Sequence, residues 1–253
     1  MNDSTPDDVR GLGRAFAQGG ERYERLRPDY PPAALEWLVG AVPLGGRIAD
    51  VGSGTGKLAA ALADRGFRVV AVDPSEDMSA QLRRRRSDVD IRVGTGEHTG
   101  LGDRSVDLVT FAQSWHWVEP EAGTAELARI LVAGGSVAMV GNFLDVRVDW
   151  VRDLAAAWHS ASTAEAVDLT RQRPELGPRF GSLESTTIDW VAPLSRTDLV
   201  DLVTTRSYYL TATPAAQAEI RSRVEQLVEV TFPDAATIDL PYRTHGYRAG
   251  LLD

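Results

Sequence analysis

The segment Asp50-Val51-Gly52-Ser53-Gly54-Thr55-Gly56 carries the densest chemical signal in the sequence. Glycines between a strand and a helix let the backbone turn sharply and approach a ligand closely. The helix N-terminus behind them offers N–H groups and a partial positive charge. Three registers are available. A phosphate-binding P-loop requires four residues between its first glycine and a Gly-Lys pair, then Ser or Thr. Gly52 leaves three before Gly56-Lys57, and Leu58 cannot ligate magnesium, so that register fails. A dinucleotide fingerprint fits Gly54-x-Gly56-x-x-Ala59, a weak signal taken alone. The third register is Asp-Val-Gly-x-Gly-x-Gly with an acidic residue ending the next strand.

That acidic residue is Asp73. At a strand's carboxyl end it can accept both hydroxyls of a ribose; the alternative is an N-cap aspartate for the next helix. His116, between Trp115 and Trp117, is the second chemical candidate. An imidazole there can take a proton from a hydroxyl or an amine, and the indoles can wall a pocket. The alternative is that all three pack the start of a helix. His98, His159 and His245 show no metal-ligand spacing, so no metal is expected. The absence of cysteine excludes disulfides, thiolate metal sites and cysteine nucleophiles.

The elements that must position these residues alternate along the chain. Strands are predicted over 47–51, 67–72, 89–93, 105–111 and 136–140. Helices are predicted over 58–65, 76–86 and 121–131, with Ser75 as an N-cap and Gly134-Gly135 beyond the last. Upstream, 14–27 has a helical pattern with Phe16, Tyr23 and Leu26 on one face, and a further helix follows Pro32. Alternating strands and helices with short turns predict a parallel sheet covered on both faces. After residue 145 the rhythm changes. A helix over 148–162 places Trp150, Leu154 and Trp158 on one face. Residues 171–182 read as loop, 183–191 as a strand, 195–230 as two helices broken near Thr211-Ala212-Thr213-Pro214, and 237–242 as a last strand bent at Pro241. A helical insert at 195–230 could cover a bound ligand.

Composition bounds the partners. The 253 residues carry a formal charge of −9, a poor match for a phosphate backbone, so no nucleic acid is expected. The one basic run, Arg83-Arg84-Arg85-Arg86, reads as a solvated helix end opposing the helix dipole, with Asp88 and Asp90 nearby. The polar, acidic first residues are unlike a targeting segment, and 1–12 is expected to be disordered. No apolar stretch reaches the roughly 20 residues of a membrane span, so no membrane role and a cytoplasmic location are expected.

With its surroundings, the third register resembles the class I S-adenosylmethionine-dependent methyltransferases. The resemblance rests on six segments in order: Arg22-Tyr23-Glu24-Arg25-Leu26-Arg27-Pro28-Asp29-Tyr30-Pro31, the glycine loop, Val70-Ala71-Val72-Asp73, Val93-Gly94-Thr95-Gly96-Glu97, Ala112-Gln113-Ser114-Trp115-His116-Trp117, and Leu131-Val132-Ala133-Gly134-Gly135. The first is similar to the opening of the type 11, trans-aconitate-methyltransferase-like branch, and Leu240-Pro241-Tyr242-Arg243-Thr244 is similar to a late segment there. Two positions depart: Ser53 stands where Cys or Ala is commoner, and Gly96 where many relatives have Ala.

The resemblance implies an α/β fold with a Rossmann-like seven-stranded mixed sheet in the order 3-2-1-4-5-7-6. Helices lie on both faces and the helical insert falls between the last two strands. It implies a single methyltransferase domain over 13–253 with its core at 33–145. The cofactor would be S-adenosyl-L-methionine, held by Gly52, Gly54 and Gly56, with Asp73 on the ribose and Asp50 orienting the loop and the methionine amino group. Glu97 would take the adenine amino group, with the Gly96 N–H on a ring nitrogen; the alternative for Glu97 is a helix-start carboxylate. Met78 would pack on adenine or serve as a core methionine. Tyr23 and Arg27 would close over the methionine end or form a surface helix face. Gln113 points at the same crevice, and His116 is the candidate base. The implied reaction is methyl transfer to a small molecule, expected to be neutral or cationic from the Trp-rich walls and acidic surface. An NAD(P)-dependent oxidoreductase and a cofactor-binding, non-catalytic relative are the alternatives. The acceptor and the oligomeric state stay open.

Overall fold

The computed structural model describes residues 24–158 and 173–252. The expected disorder at 1–12, together with Tyr23 and His159, lies outside the described residues. Seven strands form one sheet in the order β3-β2-β1-β4-β5-β7-β6: β1 Arg47–Val51, β2 Arg68–Asp73, β3 Asp90–Val93, β4 Val106–Ala112, β5 Leu131–Leu144, β6 Glu184–Ser195 and β7 Thr237–Gly250. This is the order the sequence implied. Strands β3, β2, β1, β4 and β5 pair in parallel. The described helices are α1 Pro32–Val39, α2 Lys57–Ala63, α3 Glu76–Arg85, α4 Pro120–Ile130, α5 Asp149–Trp158, α6 Arg196–Asp201, α7 Ser207–Leu210 and α8 Pro214–Thr231.

The chain divides into two compact units. One comprises 29–142, 168–188 and 244–253, and the other 1–28, 143–167 and 189–243. In the first, alternate strand residues feed two buried clusters. Ile48, Val69, Ala71 and Leu108 pack with Leu35 and Leu38 of α1, Leu58 and Leu62 of α2 and Leu82 of α3. Val51, Val70, Val72, Val109 and Phe111 pack with Leu127 and Ile130 of α4. Both faces are therefore covered, which is why β1, apart from Asp50, and β2 read as apolar runs. Ser75 caps α3, its hydroxyl accepting from the Met78 N–H. Arg83, Arg84 and Arg85 occupy the last turn of that helix, and Arg86 pairs with Asp64 at 2.6 Å and Asp88 at 2.8 Å. The basic run is a helix end with local counter-charges.

In the second unit, α8 presents Ile220, Val224 and Val228 at four-residue spacing, and α5 presents Val151, Leu154 and Trp158. These pack with Leu26, with Leu199, Leu202 and Val203, and with Ile238, Leu240 and Tyr242 of β7. Thr213 caps α8, accepting from the Ala216 N–H, so the predicted break at 211–214 is a helix start.

The strand predicted over 183–191 runs on to Ser195, and two further boundaries differ from the sequence reading. The strand predicted from 136 begins at Leu131, directly after α4; the β4–β5 register shifts between Val106 and Leu108, and Gly134 sits at φ +72°. The last strand runs on to Gly250. Its inward positions continue as Ile238, Leu240, Tyr242, Thr244 and Gly246, but the last two are not apolar, which hid the period-two pattern. Among the described residues no helix is long and apolar enough to cross a membrane.

Candidate functional site

Strand β1 pairs with both β2 and β4, so the sheet order reverses there and the loops after β1, β2 and β4 meet at one edge. The loop after β1 is held from within. The Gly52 and Ser53 N–H groups donate to the Val72 carbonyl at 2.8 and 3.1 Å, and the Gly56 N–H to the Ser53 carbonyl at 2.9 Å. The Gly54 N–H donates to Asp73 Oδ2 at 2.8 Å. Four of the loop's donors are thus engaged inside the protein and are not turned toward a phosphate.

The three glycines serve different needs, although Gly52, Gly54 and Gly56 all lie at positive φ. A Cβ on Gly52 would stand 2.4 Å from the Ser114 Cβ, and one on Gly56 would stand 2.2 Å from a Leu82 methyl. At Gly52 the short Ser114 side chain leaves no room, and at Gly56 the Leu82 contact adds to a φ of +84° that favours glycine. Only around Gly54 is the space open to 4 Å. The sequence reading expects all three to serve ligand approach; packing within the protein gives Gly52 and Gly56 a reason of their own, and Gly54 has no such protein neighbour.

Asp73, 7% exposed, also accepts from the Ser75 N–H at 2.9 Å through Oδ1. The cap of α3 is Ser75, so Asp73 instead fastens the glycine loop to the end of β2. Each carboxylate oxygen keeps a lone pair for a ligand hydroxyl. Burial pushes the Asp73 carboxyl above its usual range, against the Ser75 and Gly54 N–H groups.

Asp50 is fully buried in the middle of β1. Its Oδ1 accepts from the Thr110 hydroxyl at 3.0 Å, and the two residues sit side by side in the β1–β4 register. Its Oδ2 is buried without a hydrogen-bond partner. Burial raises its pKa to about 7 against the Thr110 hydroxyl and the Ala59 backbone N–H, and the Asp73 carboxylate adds to the rise. Two coupled carboxylates therefore stand at this edge, one with an unsatisfied oxygen. Thr110 was missed in the sequence; a polar residue inside the apolar run of β4 was the available signal.

After β4 the chain turns through Gln113, whose φ of +57° is unusual for a residue with a side chain. Its N–H donates to the Val140 carbonyl at 2.9 Å. The Ser114 hydroxyl donates to the Val51 carbonyl at 2.6 Å and fixes this turn against the glycine loop. Residues Trp115–Trp117 form a 3-10 turn. Trp115 packs edge-on to Phe111 with ring centroids 5.0 Å apart, while Trp117 is 58% exposed. His116 is half-buried with its ring 4.7 Å from that of Trp117.

Glu97 Oε1 accepts from the Glu119 N–H at 2.8 Å, at the N-cap of α4, so the helix-start role is physically present. Burial acts to raise its pKa, but that N–H and the Thr95 hydroxyl hold it below the usual value. Gly96 is buried, and a Cβ there would stand 2.4 Å from a Val118 methyl; a Cβ on Gly123 of α4 would stand 2.3 Å from the other. Val118 is held between two glycines, which explains the departure at 96. Met78 lies half-buried in the first turn of α3. Asp50, Gly52, Gly54, Gly56, Asp73, Met78, Gly96, Glu97, Gln113 and His116 thus share one unit. Arg27 belongs to the other unit, where its guanidinium donates to the Thr205 hydroxyl at 3.0 Å and carbonyl at 3.1 Å.

The chain is similar to known proteins. A family model described as a methyltransferase domain matches residues 49–139. An uncharacterized methyltransferase of Mycobacterium tuberculosis (strain ATCC 25618 / H37Rv) is 38% identical over 245 residues, covering 96% of this chain and 98% of the relative. An uncharacterized methyltransferase of Schizosaccharomyces pombe is 32% identical over 176 residues, covering 68% of this chain and 70% of the relative. The solved structure of a proposed type II methyltransferase from Anaeromyxobacter dehalogenans superposes with a TM-score of 0.68 at 27% identity, covering 89% of this chain and 97% of that one. The chain belongs to the class I S-adenosylmethionine-dependent methyltransferases.

Proposed function

We propose that the crevice at the carboxyl ends of β1, β2 and β4 binds S-adenosylmethionine and serves methyl transfer to a small organic acceptor. The observation that carries this reading is electrostatic. The edge holds two carboxylates, one with an unsatisfied oxygen, and a glycine loop with four donors spent internally. A dinucleotide brings a diphosphate, which needs free N–H groups and repels carboxylates. A sulfonium nucleoside with an ammonium group brings positive charge instead.

When bound, the cofactor supplies an activated methyl group that an acceptor takes by in-line attack. The protein's residues bind and orient. Asp73 accepts from ribose hydroxyls with the lone pairs left by Gly54 and Ser75. Asp50 meets the ammonium group through Oδ2. Gly54 gives the ligand room, Met78 packs on the adenine, and Glu97 with the Gly96 N–H addresses the adenine edge. Gln113 lines the crevice. Tyr23 and Arg27 are proposed to close over the methionine end, and His116 to take the proton that an oxygen or nitrogen acceptor releases.

Isothermal titration tests the reading. S-adenosylhomocysteine should bind and NADH should not. Asp73→Ala removes charge-assisted bonds worth about 1.5–3 kcal/mol each, so affinity should fall at least about tenfold. Binding of NADH, or an unchanged dissociation constant in the variant, would overturn it.

A further inference from the structure

Among the buried side-chain donors without a partner in the unit that contains 189–243, two lie on Arg223 and three on other residues. These three are Trp158 Nε1, Arg206 Nε and the Tyr242 hydroxyl. Trp158 is 3% exposed and Tyr242 1% exposed. They belong to one cluster. The Arg206 guanidinium lies over the Trp158 ring, 4.6 Å from its centroid, and Trp190 stacks on Tyr242 at 5.2 Å. Trp158 and Tyr242 lie in one buried cluster against which Trp190 packs, and Arg206 joins it through the Trp158 ring.

Several arginines of the unit have counter-charges. Arg25 pairs with Asp198, Arg196 with Glu229, and Arg221 with Asp201 at 2.8 Å. Among the described residues no carboxylate lies within 4.0 Å of the Arg206 guanidinium, whose contact is the indole face. A guanidinium that stacks on an aromatic ring keeps its donor edge available for a planar or tetrahedral anion. Buried donors without partners are rare in folded proteins and are satisfied when a ligand brings acceptors.

We infer that Arg206, Trp158 and Tyr242 form a binding site for a small organic oxyanion, a carboxylate or a phosphate, inside this unit. Its elements favour a ligand rich in acceptors, because Trp158 Nε1 and Arg206 Nε can only donate and the Tyr242 hydroxyl has a proton to give. The net charge of the chain pointed to neutral or cationic ligands; the interior of this unit selects the opposite sign. The site stands independently of the cofactor reading, since its residues contribute nothing to the glycine loop or to Asp73.

The test uses the full chain with succinate and inorganic phosphate as probes, succinamide as the uncharged control, and chloride at matched ionic strength. Succinate or phosphate should bind by isothermal titration and raise Tm, and succinamide should do neither. A response to succinate alone assigns a carboxylate ligand, and to phosphate alone a phosphorylated one. Arg206→Gln should weaken anion binding by about tenfold or more. Tyr242→Phe removes an unsatisfied hydroxyl, so its Tm without anion should equal or exceed that of the wild type, while its anion affinity falls about fivefold. Affinity for S-adenosylhomocysteine should stay within about twofold in both variants. A wild type that binds S-adenosylhomocysteine but responds to the anions no more than to chloride would overturn this inference alone. Undiminished anion binding in both variants would overturn it too, as would loss of S-adenosylhomocysteine binding alongside it.

Discussion

Replacing Asp50 by Asn separates a buried charge from a buried shape. The wild-type carboxyl titrates at about 7 in the fold, against 3.8 in the unfolded chain. The folded state therefore holds its proton longer, and between those values it binds more protons than the unfolded state. Stability must then fall as pH rises through this window and level off above about pH 7. Each pH unit is worth about 1.4 kcal/mol at full slope and the slope halves near the folded pKa, so from about pH 5 to about pH 7 the wild type loses about 2 kcal/mol through this group. Asn cannot ionise and contributes no such slope. Its amide places a donor where Oδ2 had no partner, costing about 1–3 kcal/mol at every pH. The variant should be the less stable protein near pH 5 and should match or exceed the wild type near pH 8. Urea denaturation across that range, with the difference between the proteins plotted against pH, isolates Asp50 from every other titrating group. A difference that stays constant within about 0.5 kcal/mol would refute the burial argument. A ligand ammonium beside Oδ2 should restore the charged form, so S-adenosylhomocysteine binding near pH 6 should release a proton. Titration heats that do not depend on the buffer's ionisation enthalpy would remove Asp50 as the ammonium's partner.

Other perturbations address single contacts. Gly52→Ala should destabilise the fold by about 2 kcal/mol or more, since its methyl meets Ser114 at 2.4 Å; thermal melting checks this. Gly54→Val should leave a folded protein, strained only by φ +55°, that no longer binds S-adenosylhomocysteine. If that variant binds normally, the ligand does not pass Gly54. His116→Ala should cut turnover about a hundredfold with cofactor affinity within about threefold, and should abolish a rise of activity with pH through the histidine's pKa. Near-normal turnover at saturating acceptor would leave His116 as pocket wall.

The sheet was legible because β1, β2 and β4 are covered on both faces and so leave apolar runs separated by glycine turns. The loop and Asp73 were legible because their types and spacing are constrained together. What escaped was set by partners distant in sequence. Ser114 matters through Gly52, sixty-two positions away, and nothing local to either residue records the contact. Gly246 lies in β7 because Trp37 stands 2.7 Å from where a Cβ would be, and Thr244 because its hydroxyl donates to Asn142 at 2.6 Å. Arg27 could be read as a ligand-closing residue, but its contact with Thr205 belongs to tertiary structure alone.

The grip of Gly96 and Gly123 on Val118 ties three positions into one evolutionary step. A methyl added at 96 collides with one arm of the valine, and a methyl added at 123 with the other. Neither glycine can change first without strain in the segment that carries His116. Val118→Ala opens both contacts at once, at the expense of a cavity. The permitted path therefore runs through the valine: a chain with alanine at 96 needs a smaller residue at 118, and the double substitution should be more stable than Gly96→Ala alone.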